Sequence, residues 1–153
     1  MKVQELMTRE VGACRAFDAA DQGAKIMWER DCGAVPVLDQ EGAVVAMLTD
    51  RDLCMAAMLQ GRGLSEIRVS SAMSKGLWSC RPDDDLSHAE EVMRAHKVRR
   101  LPVVDAQGKL LGILSLSDLA RASMDVEAGG PGKRAVKPSE VGATLGAISS
   151  AGH

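Results

Sequence analysis

Ala34-Val35-Pro36-Val37-Leu38-Asp39-Gln40-Glu41-Gly42 returns further along the chain as Arg100-Leu101-Pro102-Val103-Val104-Asp105-Ala106-Gln107-Gly108. Each stretch is a short apolar run containing a proline, followed by Asp at the first and Gly at the last position of a tight turn. The same ungapped shift lays Val3 on Val69, Met7 on Met73, Cys14-Arg15 on Cys80-Arg81 and Asp52-Leu53 on Asp118-Leu119. About a quarter of the aligned positions are identical, which marks an internal duplication. Positions at which the copies differ then become informative about function.

Outward from the hairpin, each copy alternates strand-like and helix-like patterns. In the first copy, Ala13 to Arg15 is extended, and Ala20, Ala24, Met27 and Trp28 recur at helical spacing from Asp18 to Arg30, with Asp18 as the N-cap. Ala34 to Leu38 is a strand whose proline lacks a ladder donor and is expected at an edge or strand start. Ala43 to Leu48 is a second, continuously apolar strand, and Thr49 opens a helix that stops near Gly61. The second copy repeats this order: an extended Ser79 to Arg81, a helix from Asp84 to Lys97, strands Leu101 to Val104 and Lys109 to Leu114, and a helix from Ser115 to Ser123. The expected fold class is α+β, two tandem β-α-β-β-α repeats. The repeats occupy 1–60 and 69–124, with a linker at 61–68. Residues 125–153 are rich in Gly, Ala and Ser and predict a flexible tail.

Composition narrows the function classes. Each copy, at about 54 residues, is marginal alone, and two packed together make a plausible folding unit. A net charge of −2 argues against a general nucleic-acid binder. The aromatic side chains are Phe17, Trp28 and Trp78, too few for a base-stacking platform. No secretory or spanning segment is visible, so the expected location is the cytoplasm and no membrane partner is implied. Cys14, Cys32, Cys54 and Cys80 form no C-x-x-C pair and predict reduced thiols, mostly small buried hydrophobes. His88, His96 and His153 form no ligand cluster, so no metal is expected. Gly129 to Arg134 superficially suggests a phosphate loop, but Lys133 is followed by Arg134 rather than Ser or Thr, and no strand precedes it.

The repeated elements together resemble the cystathionine-β-synthase (CBS) domain. They are Met7-Thr8, Val35-Pro36-Val37-Leu38-Asp39 with Gly42, and Thr49-Asp50-Arg51-Asp52-Leu53; the second copy has Met73-Ser74, Leu101-Pro102-Val103-Val104-Asp105 with Gly108, and Ser115-Leu116-Ser117-Asp118-Leu119. The resemblance covers residues 1–124. It implies a Bateman module, a tandem pair packed with pseudo-twofold symmetry, here free-standing because no room is left for an attached enzyme or channel. The implied role is the sensing of adenosine-type ligands, AMP, ADP or ATP, in clefts between the copies, with occupancy signalled to a protein partner, as in energy sensing. It also suggests a homodimer built through the helices around Asp18 to Arg30 and Asp84 to Lys97.

The chemistry of the motif is open to two readings. Thr49-x-x-Asp52 at a strand-to-helix junction is a capping pair, the hydroxyl and carboxylate serving the exposed N–H groups of the helix start. The same carboxylate can accept both hydrogens of a ribose diol, while the helix N-terminus attracts phosphate. The resemblance assigns that ribose role to Asp52 and Asp118. By the same resemblance, a first cleft takes Met47, Thr49, Arg51 and Asp52 with Leu77, Trp78, Arg100 and the adjacent Arg99. A second takes Ile113, Ser115 and Asp118 with Val11, Gly12, Gly33 and Ala34. Two or three guanidinium groups suit the first cleft to phosphate, whereas the matching positions of the second are Ser117, Ala34 and Gly33, leaving it weaker, empty or suited to a less charged adenosyl ligand, unless Arg9 reaches it. Trp78 stands where the family has a smaller aliphatic residue, and would either stack on the base or plug the cleft. The chain offers no nucleophile, base and metal set converging on one place, so an enzyme is not expected. The alternative function is an interaction scaffold with vestigial clefts.

Overall fold

The computed structural model describes residues 1–127 and 136–150, which divide into two compact units. The first comprises Glu10–Leu77 and Ala106–Leu110; the second comprises Met1–Arg9, Trp78–Asp105 and the described residues from Leu111 onward. The leading residues of each repeat therefore belong to the unit built from the other.

In the first unit, β1 (Cys14–Arg15), β2 (Ala34–Leu38) and β3 (Val44–Thr49) form a sheet in the order β1-β2-β3, with β1 parallel and β3 antiparallel to β2. Helices α1 (Ala20–Glu29) and α2 (Asp50–Gln60) accompany it, and a one-turn helix α3 (Val69–Ala72) opens the second repeat. The hairpin turn forms as its residues predict: Gly42 has φ 84° and its N–H donates to Asp39 C=O at 3.2 Å, while Asp39 Oδ1 accepts from the N–H groups of Glu41 and Ala43. Gly61, at φ 61°, ends α2 where expected.

Two local expectations are corrected. Pro36 lies in the middle strand, not at an edge. Asp50 N–H bonds to Gly33 C=O, and in this register Pro36 opposite Met47 is a position whose nitrogen faces away from β3. It faces β1 instead, and β1 covers only Val37 and Leu38, so no ladder bond is lost. Asp18 does not cap α1. The N-cap is Ala19, without a side-chain bond, and Asp18 Oδ2 accepts the Arg15 N–H at 2.8 Å, bracing the preceding turn.

The second unit repeats the plan with α4 (Leu86–His96), β4 (Arg100–Val104), β5 (Leu110–Ser115) and α5 (Leu116–Glu127). Its core matches the first position for position: Val3, Cys80, Met93, Leu101, Val103, Leu114 and Leu119 stand for Val69, Cys14, Met27, Val35, Val37, Leu48 and Leu53. The leaders are exchanged bond for bond. Val3 N–H donates to Asp84 C=O (3.0 Å), and Val69 N–H to Asp18 C=O (2.9 Å); Thr8 N–H donates to Ile113 C=O, and Ser74 N–H to Met47 C=O. Val3 and Val69 are both fully buried.

The expected flexible tail is also corrected over part of its length. Pro138–Ser149 forms a helix, α6, with its proline in the first turn. Val141, Thr144 and Ile148 recur at helical spacing on one side, and Val136, Thr144 and Ile148 are buried in the second unit's core region. The glycine-rich stretch from Gly129 to Arg134, and His153, lie outside the described residues. Beneath α6, Glu90 is buried with Oε1 unpartnered, and burial pushes its carboxyl pKa up; Glu140 adds to this, while Arg94 and the Thr144 hydroxyl oppose it.

Three outcomes follow from this packing. A Cβ on Gly112 would stand 2.6 Å from the Thr8 carbonyl oxygen, so Gly112→Ala should lower stability in urea by about 1–3 kcal/mol. Because Glu90 holds its proton longer folded than unfolded, its contribution to stability declines as pH rises through the raised pKa; Glu90→Gln should flatten that decline in denaturation curves recorded across pH. Burial raises the Cys14 and Cys80 pKa values to about 11 and about 12, so native alkylation followed by mass spectrometry should modify the exposed Cys54 and spare both.

Candidate functional site

In the first unit the site is the turn from β3 into α2. Thr49 is extended and its Oγ1 accepts the Asp52 N–H at 3.1 Å, while Asp52 Oδ2 accepts the Thr49 N–H at 2.9 Å. This reciprocal pair leaves Asp52 Oδ1 outside the cap. Gly33 and Ala34 lie alongside: Ala34 pairs with Thr49, and a Cβ on Gly33 would come within 3.1 Å of Asp50 Oδ2. Met47 is tied to the second repeat's leader, its N–H donating to Ser74 Oγ (3.1 Å) and its carbonyl accepting Ser74 N–H. That tie brings the half-buried Leu77 into the same unit, and Arg51 is exposed on the first turn of α2. Val11 is half-buried, and Gly12 is shaped by α1: a Cβ there would meet Ile26 Cγ2 at 2.5 Å.

The second unit builds the same turn with a different outcome. Asp118 Oδ2 accepts from both the Ser115 N–H (2.8 Å) and the Ser115 hydroxyl (2.6 Å), and its Oδ1 takes the Arg121 guanidinium. Asp118 is 6% exposed, with both oxygens engaged. A ribose diol would have to displace Arg121. The first copy has Met55 at the position of Arg121, so Asp52 has no such competitor. Sequence reasoning missed this, although an Arg three residues after an Asp on a helix is a readable signal.

Leu116 N–H donates to Arg99 C=O at 2.9 Å, and a cavity of about 340 Å³ is lined by Arg99, Arg100, Ser115 and Ser117, with Val141 and Leu145 of α6. Neither guanidinium makes an ion pair among the described residues. The structure thus brings Arg99 and Arg100, expected in one cleft, beside Ser115, expected in the other. Ile113 is bonded both ways to Thr8, and Arg9 donates to Gln4 C=O. Trp78 stacks on His96, with ring centroids 3.4 Å apart and planes 8° from parallel. One face of the indole is therefore covered by an imidazole 18 residues away, a contact no local pattern announces. Among the described residues, no group of three His, Cys, Asp or Glu side chains is placed to hold a metal ion, and no helix is long and apolar enough to cross a membrane.

The comparisons with known proteins agree with the geometry. The CBS domain model matches residues 3–59 and again 66–125. The chain is 38% identical over 128 residues, 84% of its length and 89% of the relative's, to the CBS domain-containing protein YhcV of Bacillus subtilis. It is similar to the structure of CBSX2 in complex with AMP, with TM-score 0.71 and 27% identity over 82% of this chain and 98% of that one; CBSX2 is a protein of Arabidopsis thaliana. A putative signal-transduction protein with CBS domains from Burkholderia ambifaria gives TM-score 0.72 at 26% identity, over 88% and 99% of the two chains.

The two helix starts make a paired test. Thr49→Ala and Ser115→Ala should each cost about 1 kcal/mol in urea denaturation through loss of the cap. Only Ser115→Ala also weakens the support of a buried carboxylate, so it is expected to be the more damaging of the two.

Proposed function

This chain belongs to the CBS-domain family, and from that premise we propose that it is a non-enzymatic regulatory module that binds an adenosine nucleotide and signals its occupancy to a partner protein. The observation that carries the reading is Asp52 at the start of α2, held in orientation by its cap through Oδ2 while Oδ1 stays outside that cap. A carboxylate so fixed is ready to accept from a ribose diol by charge-assisted bonds. Met47 and Leu77 offer the apolar edge an adenine ring needs, and Arg51 and the α2 N-terminus suit phosphate. In the second unit, Arg99, Arg100, Ser115 and Ser117 form a cationic, hydroxyl-lined cavity of the chemistry that takes phosphate, so AMP, ADP and ATP are favoured over uncharged adenosine. The AMP complex of CBSX2 supports the ligand class. Sensing of AMP against ATP would make the module an energy sensor. The four unpaired thiols suit the reducing cytoplasm, and a homodimer completes the proposal. The second reading, an interaction scaffold whose clefts no longer bind, is favoured by the Arg121 closure over Asp118 and by the Trp78–His96 stack.

Thermal denaturation with added nucleotide separates the two. A ligand at a hundredfold excess over its Kd adds about 2.7 kcal/mol, which for a chain of this size raises Tm by about 5–10 °C. Asp52→Asn should abolish the shift, Arg51→Ala on the same helix start should reduce it for ATP and AMP, and Asp118→Asn should lower the starting Tm while leaving the shift in place. Absence of any shift with millimolar AMP, ADP, ATP or adenosine would leave only the scaffold.

A further inference from the structure

The cavity of Arg99 and Arg100 is built by two parts of the chain. Its cationic and hydroxyl groups come from the start of β4 and the turn into α5, whereas Val141 and Leu145 of its lining come from α6. Leu145 is 47% exposed, an apolar side chain that lines the cavity and does not fill the core. The cavity has this form only while α6 is docked on α4 and α5. A ligand that touches the α6 lining therefore binds the docked arrangement more tightly than the undocked one, and such a difference is what shifts a conformational equilibrium. Helix α6 is also weakly held. At 12 residues it is marginal as an isolated helix in water. Gly142 and Gly146 weaken it further, and beyond its own backbone nothing lies within 4 Å of where a Cβ would stand on either, so close packing does not require them. Its docking rests on the buried Thr144 and Ile148, with Thr144 Oγ1 accepting from Arg94 Nη1 at 3.0 Å. Beneath it Glu90 Oε1 is buried without a partner, which works against the docked arrangement. A helix ordered by its contacts, some of which line a ligand cavity, belongs to the low-stability elements that respond to binding.

We propose that α6 is the element that reports occupancy of the Arg99 and Arg100 cavity: a phosphorylated nucleoside bound there is gripped by its phosphate and its base, and fixes α6 on α4 and α5. The proposal rests on the nucleotide reading of that cavity and names its output. The sugar has little part in the grip, because Arg121 occupies the Asp118 oxygen that a ribose diol would use. The base instead takes its apolar contact from Val141 and Leu145 together with Leu116, and the phosphate meets the two guanidinium groups. Adenosine lacks the phosphate and pyrophosphate lacks the base, so each satisfies half of the cavity and leaves α6 as it was. The output belongs to one repeat, since the first copy has Gly33 and Ala34 at the positions of Arg99 and Arg100, and α6 packs on the helices of the second.

Hydrogen–deuterium exchange on the full chain, read by mass spectrometry over residues 137–150, tests this. With AMP at about ten times its Kd, the α6 amides are expected to exchange about tenfold more slowly than in the free protein, because opening must then also release the ligand. 2′-Deoxy-AMP should slow them equally, and adenosine and pyrophosphate should not. Arg100→Ala and Leu145→Ser should each abolish the slowing by AMP, with each variant compared against its own ligand-free exchange and its fold checked by circular dichroism. A Tm raised by AMP while α6 exchange stays unchanged overturns the role given to α6 and leaves the nucleotide reading standing. Slowing that survives either substitution, or exchange that AMP accelerates, overturns it as well. Neither a Tm shift nor any slowing with AMP, ADP or ATP overturns both.

Discussion

The exchange of leading segments is the constraint on which the rest of the structure depends. Val3 enters the second unit's core and Val69 the first's, each with its N–H on the carbonyl of an aspartate that precedes the other repeat's first helix. A small β-α-β-β-α unit buries little of its chain by itself. Each unit here gains a fully buried valine, and bonds at the far end of its last strand, from residues that begin the other repeat. Gly112 records the tightness of this fit, since Thr8 passes so close above it that no side chain has room.

Upon this shared frame the copies are differentiated by single side chains. Thr49 and Ser115 cap their helices in the same way, yet Arg121 in place of Met55 ties up the second carboxylate oxygen of Asp118. Arg99 and Arg100 in place of Gly33 and Ala34 make one strand start cationic and the other narrow. Arg94 in place of Trp28 gives one helical face a hydrogen bond to α6 and leaves the other apolar and open. Duplication supplies two equivalent scaffolds, and substitutions at a few positions decide which chemistry each presents.

Much of this was legible in the residues themselves. The duplication, the Asp-to-Gly hairpin turns and the strand-to-helix junctions were readable because each depends on contacts only a few residues apart. The helices also fell near their expected places, since apolar side chains at helical spacing must share one face. Pro36 was harder to place. Whether a missing N–H matters depends on which neighbour the nitrogen faces, and that neighbour, β1, is distant in sequence and only two residues long. Helix α6 was hidden because Gly142, Gly146 and its serines weaken the local helix signal, and its Thr144 and Ile148 become core residues only against Arg94 and the α4 and α5 surface.

The amino-acid order alone therefore determined the repeated unit, its element order and the acids that brace the starts of α2 and α5, Asp52 and Asp118, because these are set by local backbone preferences and short-range spacing. Tertiary structure decided which acid keeps an oxygen outside its cap, which indole face is covered by His96, and which repeat each leader completes. Those outcomes turn on side chains that meet across long stretches of chain, where proximity is a property of the fold and not of the spacing.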